Sequence, residues 1–220
     1  MPTQAISAYG IQVRLGDGVA LSALTISGAT NATPIVVTTT TAHGITDVSY
    51  ATVAGVGGNT AANGTWVVER VTTTTLKLRN SVGNGAYTSG GSLTPTDTFT
   101  VIAELTNAED IGINATLVDV SAHDGNGWGS SLSVMLHGNR MRLSLNEIPS
   151  NPQHNAVTGL KFLAGSRIRR RMLIVLPDAG KTASLWTVSV AEYRTQAPVV
   201  GALTSTVALE VDGAPVFAAA

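Results

Sequence analysis

The chain has 220 residues and a formal net charge of -1, from 13 Lys and Arg against 14 Asp and Glu. This balance argues against a protein that holds nucleic acid by its phosphates, because such binding requires a basic surface. The absence of Cys excludes disulfides, thiolate catalysis and Cys-ligated metal sites. No stretch approaches the roughly 18 apolar residues of a membrane helix, and the first residues lack the pattern of a signal peptide. We therefore expect a soluble intracellular or particle-associated protein.

The first predicted element is a strand at residues 11–15, where apolar and polar side chains alternate, followed by a turn at residues 16–18. Thr and Val are frequent throughout the chain, and these β-branched residues lose side-chain freedom in a helix. Gly and Asn recur at short intervals, which favours turns. Together these features predict a mainly β protein.

The next segment, residues 24–96, is rich in Thr, Gly, Asn and Ala and poor in charge. It predicts a small all-β domain of about five short strands, inserted into a host domain formed by residues 1–23 and 97–220. Trp66 and Leu76 are expected to fill its core. The clearest strand patterns lie at residues 34–38, 48–56, 65–71 and 75–79.

The host domain then resumes with a predicted strand at residues 98–105. Residues 132–136 and 141–145 flank Gly138 and Asn139, which predicts a hairpin with these two residues at its tip. Asn151 and Pro152 predict the start of a short helix over residues 152–164, ended by Gly165. Three further strands are predicted at residues 167–176, 185–193 and 203–211.

Candidate catalytic and metal sites are weak. His123 and Asp124, with Asp119 four residues before His123, form a cluster that suits a metal ion or a general base. The glycines at 125 and 127 favour an ordinary turn instead, in which Asp and Asn bond their own backbone. Residues 180–182, Gly-Lys-Thr, lack the earlier Gly of a phosphate-binding loop. We therefore predict no catalytic residue, no metal site and no cofactor.

The single basic run is Arg167-Ile-Arg-Arg-Arg171. On a strand, Arg167, Arg169 and Arg171 would share one face. Such a stripe suits either a contact with carboxylates of a neighbouring subunit or a plain solvated face. Subunit contact is favoured over nucleic acid, because the sequence has no other basic run.

The order of motifs in the host domain resembles the major tail tube protein of long-tailed, non-contractile (siphovirus-type) bacteriophages. The resemblance covers residues 5–22 and 97–217. Its motifs, in chain order, are GIQVRLGDG (10–18), FTVIAELT (99–106), LVDVSAHD (117–124) followed by Gly127-Trp128, LIVLPD (173–178), WTVSV (186–190), APVVGALT (197–204) and VDGAPVF (211–217).

This resemblance implies a tail-tube-type β-sandwich or barrel with one short flanking α-helix. It implies hexameric rings, each with a continuous inner β-barrel, that stack head to tail around the tape measure protein and conduct DNA into the host. Further implied partners are the tail terminator and tail tip proteins. DNA would pass the lumen without specific binding. The expected location is the virion tail, with assembly in the host cytoplasm and no membrane contact.

The inserted segment resembles a short β module that recurs in phage virion proteins, with TNATPIVVT (30–38), AHG (42–44), GVGGNTAANGTW (55–66) and GNGAYTSGG (83–91). Typical tail tube proteins lack it, and it would have to lie outside the lumen. An alternative function is an adhesion or baseplate-type module whose insert recognises a host glycan or another virion protein. A polysaccharide-cleaving enzyme would need paired carboxylates, for which the insert offers only Asp47 and Glu69.

For the tube interpretation, residues 107–129 are expected to form a long connection that reaches a neighbouring ring. The predicted contact residues in it are Asp119, His123, Asp124 and Trp128. Trp128 could equally be an anchor of the local core. Arg167, Arg169 and Arg171 are the predicted subunit contacts outside this segment.

Overall fold

The computed structural model describes residues 9–19, 21–121 and 128–218. Within them the chain forms β-strands, one α-helix and a single 3-10 turn at Thr60–Ala62. The predicted mainly β class with one short α-helix is therefore confirmed. The elements are β1 (Gln12–Gly16), β2 (Leu24–Ala29), β3 (Val36–Thr39), β4 (Val48–Ala54), β5 (Gly64–Arg70), β6 (Thr75–Leu78), β7 (Ser92–Pro95), β8 (Phe99–Val101), β9 (Leu105–Glu109), β10 (Ile113–Asp119), β11 (Ser131–Gly138), β12 (Met141–Asn146), α1 (Leu160–Ser166), β13 (Arg169–Val175), β14 (Ala183–Gln196), β15 (Thr204–Val211) and β16 (Val216–Ala218).

Contacts divide the chain into two units. The first contains residues 1–101, 170–185 and 216–220, and the second contains residues 102–169 and 186–215. Most of the first unit is a closed barrel with the strand order β2-β3-β6-β5-β4-β7. Its inward side chains alternate with outward ones along each strand, as the pleat of a strand requires. The fully buried ones include Ile35, Val37, Leu76, Leu78 and Leu93.

The barrel has six strands where the sequence indicated about five. β2 and β7 are the strands without a clear pattern: β2 contains Gly28 at an irregularity in its pairing, and β7 has four residues and ends in Pro95. They pair with each other at Leu24–Leu93 and so close the barrel. Leu76 is buried as predicted, and Trp66 packs partly buried against the same cluster.

The rest of the first unit is an antiparallel arrangement in the order β8-β1-β13-β14, and β16 pairs with the first residues of β14. Val48 and Val67 of the barrel belong to the same apolar cluster as Leu173, Val175 and Leu185. The inserted segment therefore shares a core with the strands beside it. The first unit is one packed body made from the segment and its flanking strands.

In the second unit, β14, β15, β12 and β9 form an antiparallel sheet in that order. Met141, Leu143 and Leu145 lie on one face of β12 and are fully buried, as are Val207 and Leu209 of β15. The opposite face carries Arg, Glu, Gln and Thr side chains. One face of this sheet is thus core and the other is polar.

The predicted hairpin around Gly138 and Asn139 is wrong. β11 pairs with β10 in a separate two-stranded ribbon, whereas β12 pairs with β15 and β9. The reason is burial: the apolar side chains of β12 are needed in the core of the second unit, while those of β11 stay exposed. Strand pairing follows the core rather than the turn signal between neighbours.

The predicted helix over residues 152–164 is also wrong at its start, since α1 begins at Leu160. The side chain of Asn151 accepts the N–H of Gln153, and that of Asn155 accepts the N–H groups of Val157, Thr158 and Gly159. These local bonds hold the segment in turns and compete with a helix. Gly165 does not end α1, which continues to Ser166 and is capped by Arg167 in a left-handed conformation.

The predicted strand at residues 98–105 is divided into β8 and β9. Glu104 adopts φ of 55°, a left-handed conformation outside the β region, and it interrupts the strand there. The predicted connection over residues 107–129 contains the end of β9 and all of β10, so more than half of its described residues are strand.

Candidate functional site

The ribbon of β10 and β11 is the most unusual surface of the described chain. Every residue of β10 is exposed, and so are the first seven residues of β11. Adjacent residues of a strand point to opposite faces, so Leu117 and Val118, like Met135 and Leu136, place apolar side chains on both faces. Leu136 is 70% exposed and Leu117 is 62% exposed. A monomer leaves all of this apolar surface in water.

Two of the predicted contact residues lie at the end of this ribbon where β10 ends and β11 begins. Asp119 ends β10, and its carboxylate accepts hydrogen bonds from the hydroxyl and the backbone N–H of Ser121. These two bonds lower the pKa of Asp119, which is fully exposed. Trp128 is 85% exposed, so it does not anchor the core of the described chain. The other two predicted residues, His123 and Asp124, lie outside the described residues.

The three predicted arginines do not form one stripe. Arg167 precedes β13 in its left-handed conformation, where its N–H caps α1 by donating to the Leu163 carbonyl. In the second unit, Arg169 pairs with Asp212 at 2.8 Å. In the first unit, Arg171 pairs with Asp97 at 2.7 Å. Two of the three arginines therefore already meet a carboxylate of their own chain.

Asp97 is a residue that the sequence reasoning missed. Its side chain is fully buried, where it accepts the Gly18 N–H and the Arg171 Nη1–H, both at 2.7 Å. A Cβ on Gly16 would lie 2.8 Å from the Asp97 Oδ1, so the approach requires glycine there. Gly18 precedes the barrel and Asp97 follows it. This carboxylate therefore links the chain segment that enters the barrel to the one that leaves it. The signal in the sequence is an acid at the composition boundary near residue 96.

A second set of polar contacts joins the barrel to the turn between β13 and β14. The Arg79 side chain is almost fully buried and donates to the carbonyls of Lys181 and Gly180, at 2.5 and 2.8 Å. It also pairs with Glu69 at 3.2 Å. Lys181 adopts φ of 50°, and its ammonium reaches Asp47 at 2.6 Å. The barrel therefore binds this turn through the backbone carbonyls of Gly180 and Lys181 and through the side chain of Lys181.

Asp47 lies between two cations. Arg14 Nη2 approaches it at 2.7 Å from the other side. Burial opposes ionisation of this carboxyl, but the hydrogen bonds and charges of Lys181 and Arg14 outweigh it, so the pKa of Asp47 is lowered. In the second unit the pKa of Glu147 is likewise lowered, because bonds from the Ser205 and Thr195 hydroxyls and the nearby Lys161 overcome burial. Both acids are structural ion-pair partners.

Two of the histidines are buried and locked in one tautomer. The Ile45 N–H donates to Nδ1 of His43, so the proton sits on Nε2, which donates to the Thr72 carbonyl at 2.9 Å. His154 repeats the pattern, with Nδ1 accepting the Ile148 N–H and Nε2 donating to a carbonyl at 3.0 Å. Each ring bridges backbone groups as a neutral imidazole. Neither has a ring nitrogen left for a metal or a substrate.

Each of the two acids of the inserted segment is bound by cations of its own chain. Asp47 is bound by Arg14 and Lys181, and Glu69 by Lys77 and Arg79. Among the described residues there is no group of three His, Cys, Asp or Glu side chains that could hold a metal ion. In the same part of the chain, no helix has the length and apolar character needed to cross a membrane.

No protein-family model matches the chain, and the comparison with curated proteins finds no significant match.

Proposed function

We propose that the chain is a structural protein of a phage tail, which assembles as stacked hexameric rings into the tube that conducts DNA into the host. The observation that carries this proposal is the exposed apolar ribbon of β10 and β11. The order of motifs in the sequence, which resembles that of tail tube proteins, favours a tail tube as the assembly. The ribbon supplies a physical reason for self-association.

The ribbon is poorly suited to a monomer for two reasons. A lone two-stranded hairpin is marginally stable in water, since stability needs a third strand or a packed face. Each of its strands also has one edge whose N–H and C=O groups face no strand of the described chain, which invites pairing with another chain. Contact with further copies of the chain could pair the backbone groups of the free edges and bury the apolar side chains of both faces. Rings and stacks provide such contacts.

The contact residues of the proposal follow from their positions. Asp119 and Trp128 lie near the end of the ribbon where β10 ends and β11 begins, and both are exposed, so they are the favoured contacts between copies. Arg169 and Arg171 contribute less, because each has a carboxylate partner in its own chain. The tape measure, tail terminator and tail tip proteins are the further partners of this proposal.

The alternative of a glycan-binding insert receives less support. A sugar site needs aromatic side chains clustered on a surface. Trp66 and Tyr87 instead pack against the barrel core, and Tyr50 packs against the second apolar cluster of the first unit. The guanidinium of Arg171 covers the Tyr50 ring at 6.0 Å. The barrel aromatics are thus used in packing.

Electron microscopy of the purified chain at increasing concentration tests the proposal, and rings or tubes are the expected result. The double variant Leu117→Ser with Leu136→Ser should stay folded by circular dichroism and remain monomeric. The matched control is Val82→Ser, which removes an equally exposed apolar side chain from the barrel segment and should assemble normally. A wild-type chain that stays monomeric at every concentration contradicts the proposal.

A further inference from the structure

The polar face of the sheet in the second unit contains a niche with an unusual centre. Ala208 of β15 lies directly between Arg142 of β12 and Glu192 of β14. One step along the strands, Thr206 lies between Ser144 and Arg194. Ala208 has no side chain beyond Cβ, so the longer groups around it enclose a cavity of about 280 Å³. Its lining comprises Arg140, Arg142, Glu192, Arg194, Gln196, Thr206 and Ala208.

The arginines around this niche are not all paired with acids. Glu192 accepts a hydrogen bond from Arg194 and lies 3.8 Å from Arg140, which also pairs with Glu210 at 3.2 Å. The side chain of Arg142 makes no hydrogen bond or ion pair within residues 9–19, 21–121 and 128–218. Arg140 and Arg194 each contact a carboxylate, whereas the guanidinium of Arg142 contacts none in this part of the chain.

Other donors of the niche are also unused. The Thr206 hydroxyl and the Gln196 amide have no hydrogen-bond partner in the described part of the chain. The nearest competing acid is Glu109, which lies opposite Arg142 on β9 but accepts a bond from the Asn107 amide. Donors thus approach the space above Ala208 from β12, β14 and β15.

We propose that this niche binds the phosphate group of a small phosphate ester. Guanidinium groups hold phosphate and carboxylate with paired N–H donors. A tetrahedral anion suits donors that arrive from three strands, whereas a carboxylate offers two oxygens in one plane. A polynucleotide is disfavoured, because its backbone needs a track of cations and here Glu192 and Glu210 flank a single site. The proposal is independent of tail assembly.

Isothermal titration of the full chain with inorganic phosphate, at constant ionic strength, tests the niche. Saturable binding is expected, and sulfate should compete with phosphate better than acetate does. Arg142→Ala and Arg194→Ala should each weaken binding by about tenfold or more, the loss expected for one charged hydrogen bond. Arg70→Ala is the matched control, since it removes an exposed arginine from the barrel and should leave binding unchanged.

A second variant keeps the test independent of charge. Ala208→Leu fills the niche, leaves every arginine in place and should abolish phosphate binding while circular dichroism remains that of the wild type. Phosphate binding that survives both Arg142→Ala and Ala208→Leu would overturn the proposal, as would the absence of saturable binding by the wild type. Tighter binding of a short single-stranded oligonucleotide than of phosphate would also overturn it, by assigning the surface to a polynucleotide.

Discussion

The barrel of the first unit and the ribbon of the second differ in how they pair their strand edges and bury their apolar side chains. In the barrel, six strands each have a neighbour on both sides, and the apolar side chains point inward. In the ribbon, two strands have one neighbour each, and their apolar side chains face water. Both regions are rich in β-branched and small residues, so composition does not separate them. What separates them is whether the hydrogen-bond ladder closes within one chain.

This difference locates the part of the molecule that depends on other copies. A closed barrel gains nothing by pairing with another chain, because none of its edges is free. A ribbon gains edge hydrogen bonds and buries apolar surface at the same time. The barrel should therefore be stable in the monomer, whereas the ribbon should gain its stability when copies assemble.

The largest expected effect comes from matched Leu→Ala changes in the two regions. Leu76→Ala empties a fully buried position of the barrel and should lower the free energy of unfolding by about 2–5 kcal/mol in urea titrations. Leu136→Ala truncates an exposed side chain and should change monomer stability by less than about 0.5 kcal/mol. The ribbon variant should instead raise the concentration needed for assembly. Equal destabilisation of the monomer by both would contradict the comparison.

A smaller change in unfolding free energy is expected when the hydrogen bonds between the barrel and the turn from β13 to β14 are removed. Arg79→Ala leaves the carbonyls of Gly180 and Lys181 without their donor and should cost about 1–3 kcal/mol of unfolding free energy. Lys77→Ala is the control, since it removes a half-exposed partner of the same Glu69 and should cost at most about 1 kcal/mol. A variant at Arg79 as stable as the one at Lys77 would show that these hydrogen bonds are dispensable.

The ion pairs of Asp47 predict how the first unit responds to acid. The pKa of Asp47 is lowered in the folded state, below its ordinary value of 3.8. Its contribution to stability is therefore fully present above pH 3.8 and is lost as the pH falls through the folded value. Urea titrations from pH 7 to pH 3 should show this loss. Asp47→Asn should be less stable at neutral pH, and its unfolding free energy should fall less as the pH decreases.

The control for the substitution is Asp110→Asn, compared at pH 7. Asp110 is exposed, has no ion pair among the described residues and adopts a left-handed φ of 59° that Asn also tolerates, so its variant should keep the wild-type stability there. If Asp47→Asn loses stability with acid as steeply as the wild type, other carboxylates carry the effect.

The smallest effect is expected at the end of the ribbon where β10 ends and β11 begins. Ser121→Ala removes the hydroxyl that donates to Asp119 and leaves the backbone N–H in place. The pKa of Asp119 should move part of the way back toward 3.8 in an NMR titration, with no measurable change in stability. The conservative Ser121→Thr keeps the hydroxyl and should keep the lowered pKa. An unchanged pKa in Ser121→Ala would mean that the backbone bond alone suffices.

The sequence predicts the strands with strong alternation and misses those without it. Residues 203–211 alternate cleanly because one face is core, and β15 forms there. β2 and β7 give no such signal, since Gly28 interrupts one and Pro95 ends the other. The hairpin at Gly138 fails because a turn signal says nothing about which strand has the better core. Long-range burial decided the pairing.

The candidate site shows the same limit. Exposed residues such as Asp119 and Trp128 stand out in the sequence because an acid and a Trp are rare in its glycine-rich setting. The roles of Asp97 and Arg79 depend on partners 79 and 102 residues away, and local spacing carries no trace of them. Arg142 is similar, because what marks it is the small residue opposite, on another strand.

The link made by Asp97 has a mechanical consequence. A pulling force on the barrel would be shared between the core that it has in common with the neighbouring strands and the two chain segments that enter and leave it. The Asp97 carboxylate, which bonds to the Gly18 N–H and to Arg171, couples these two segments. Load would thus pass as shear into the paired strands β1 and β13, where many hydrogen bonds must break together, rather than unzipping one connection at a time. A domain mounted in this way would resist being torn off by flow or by collision.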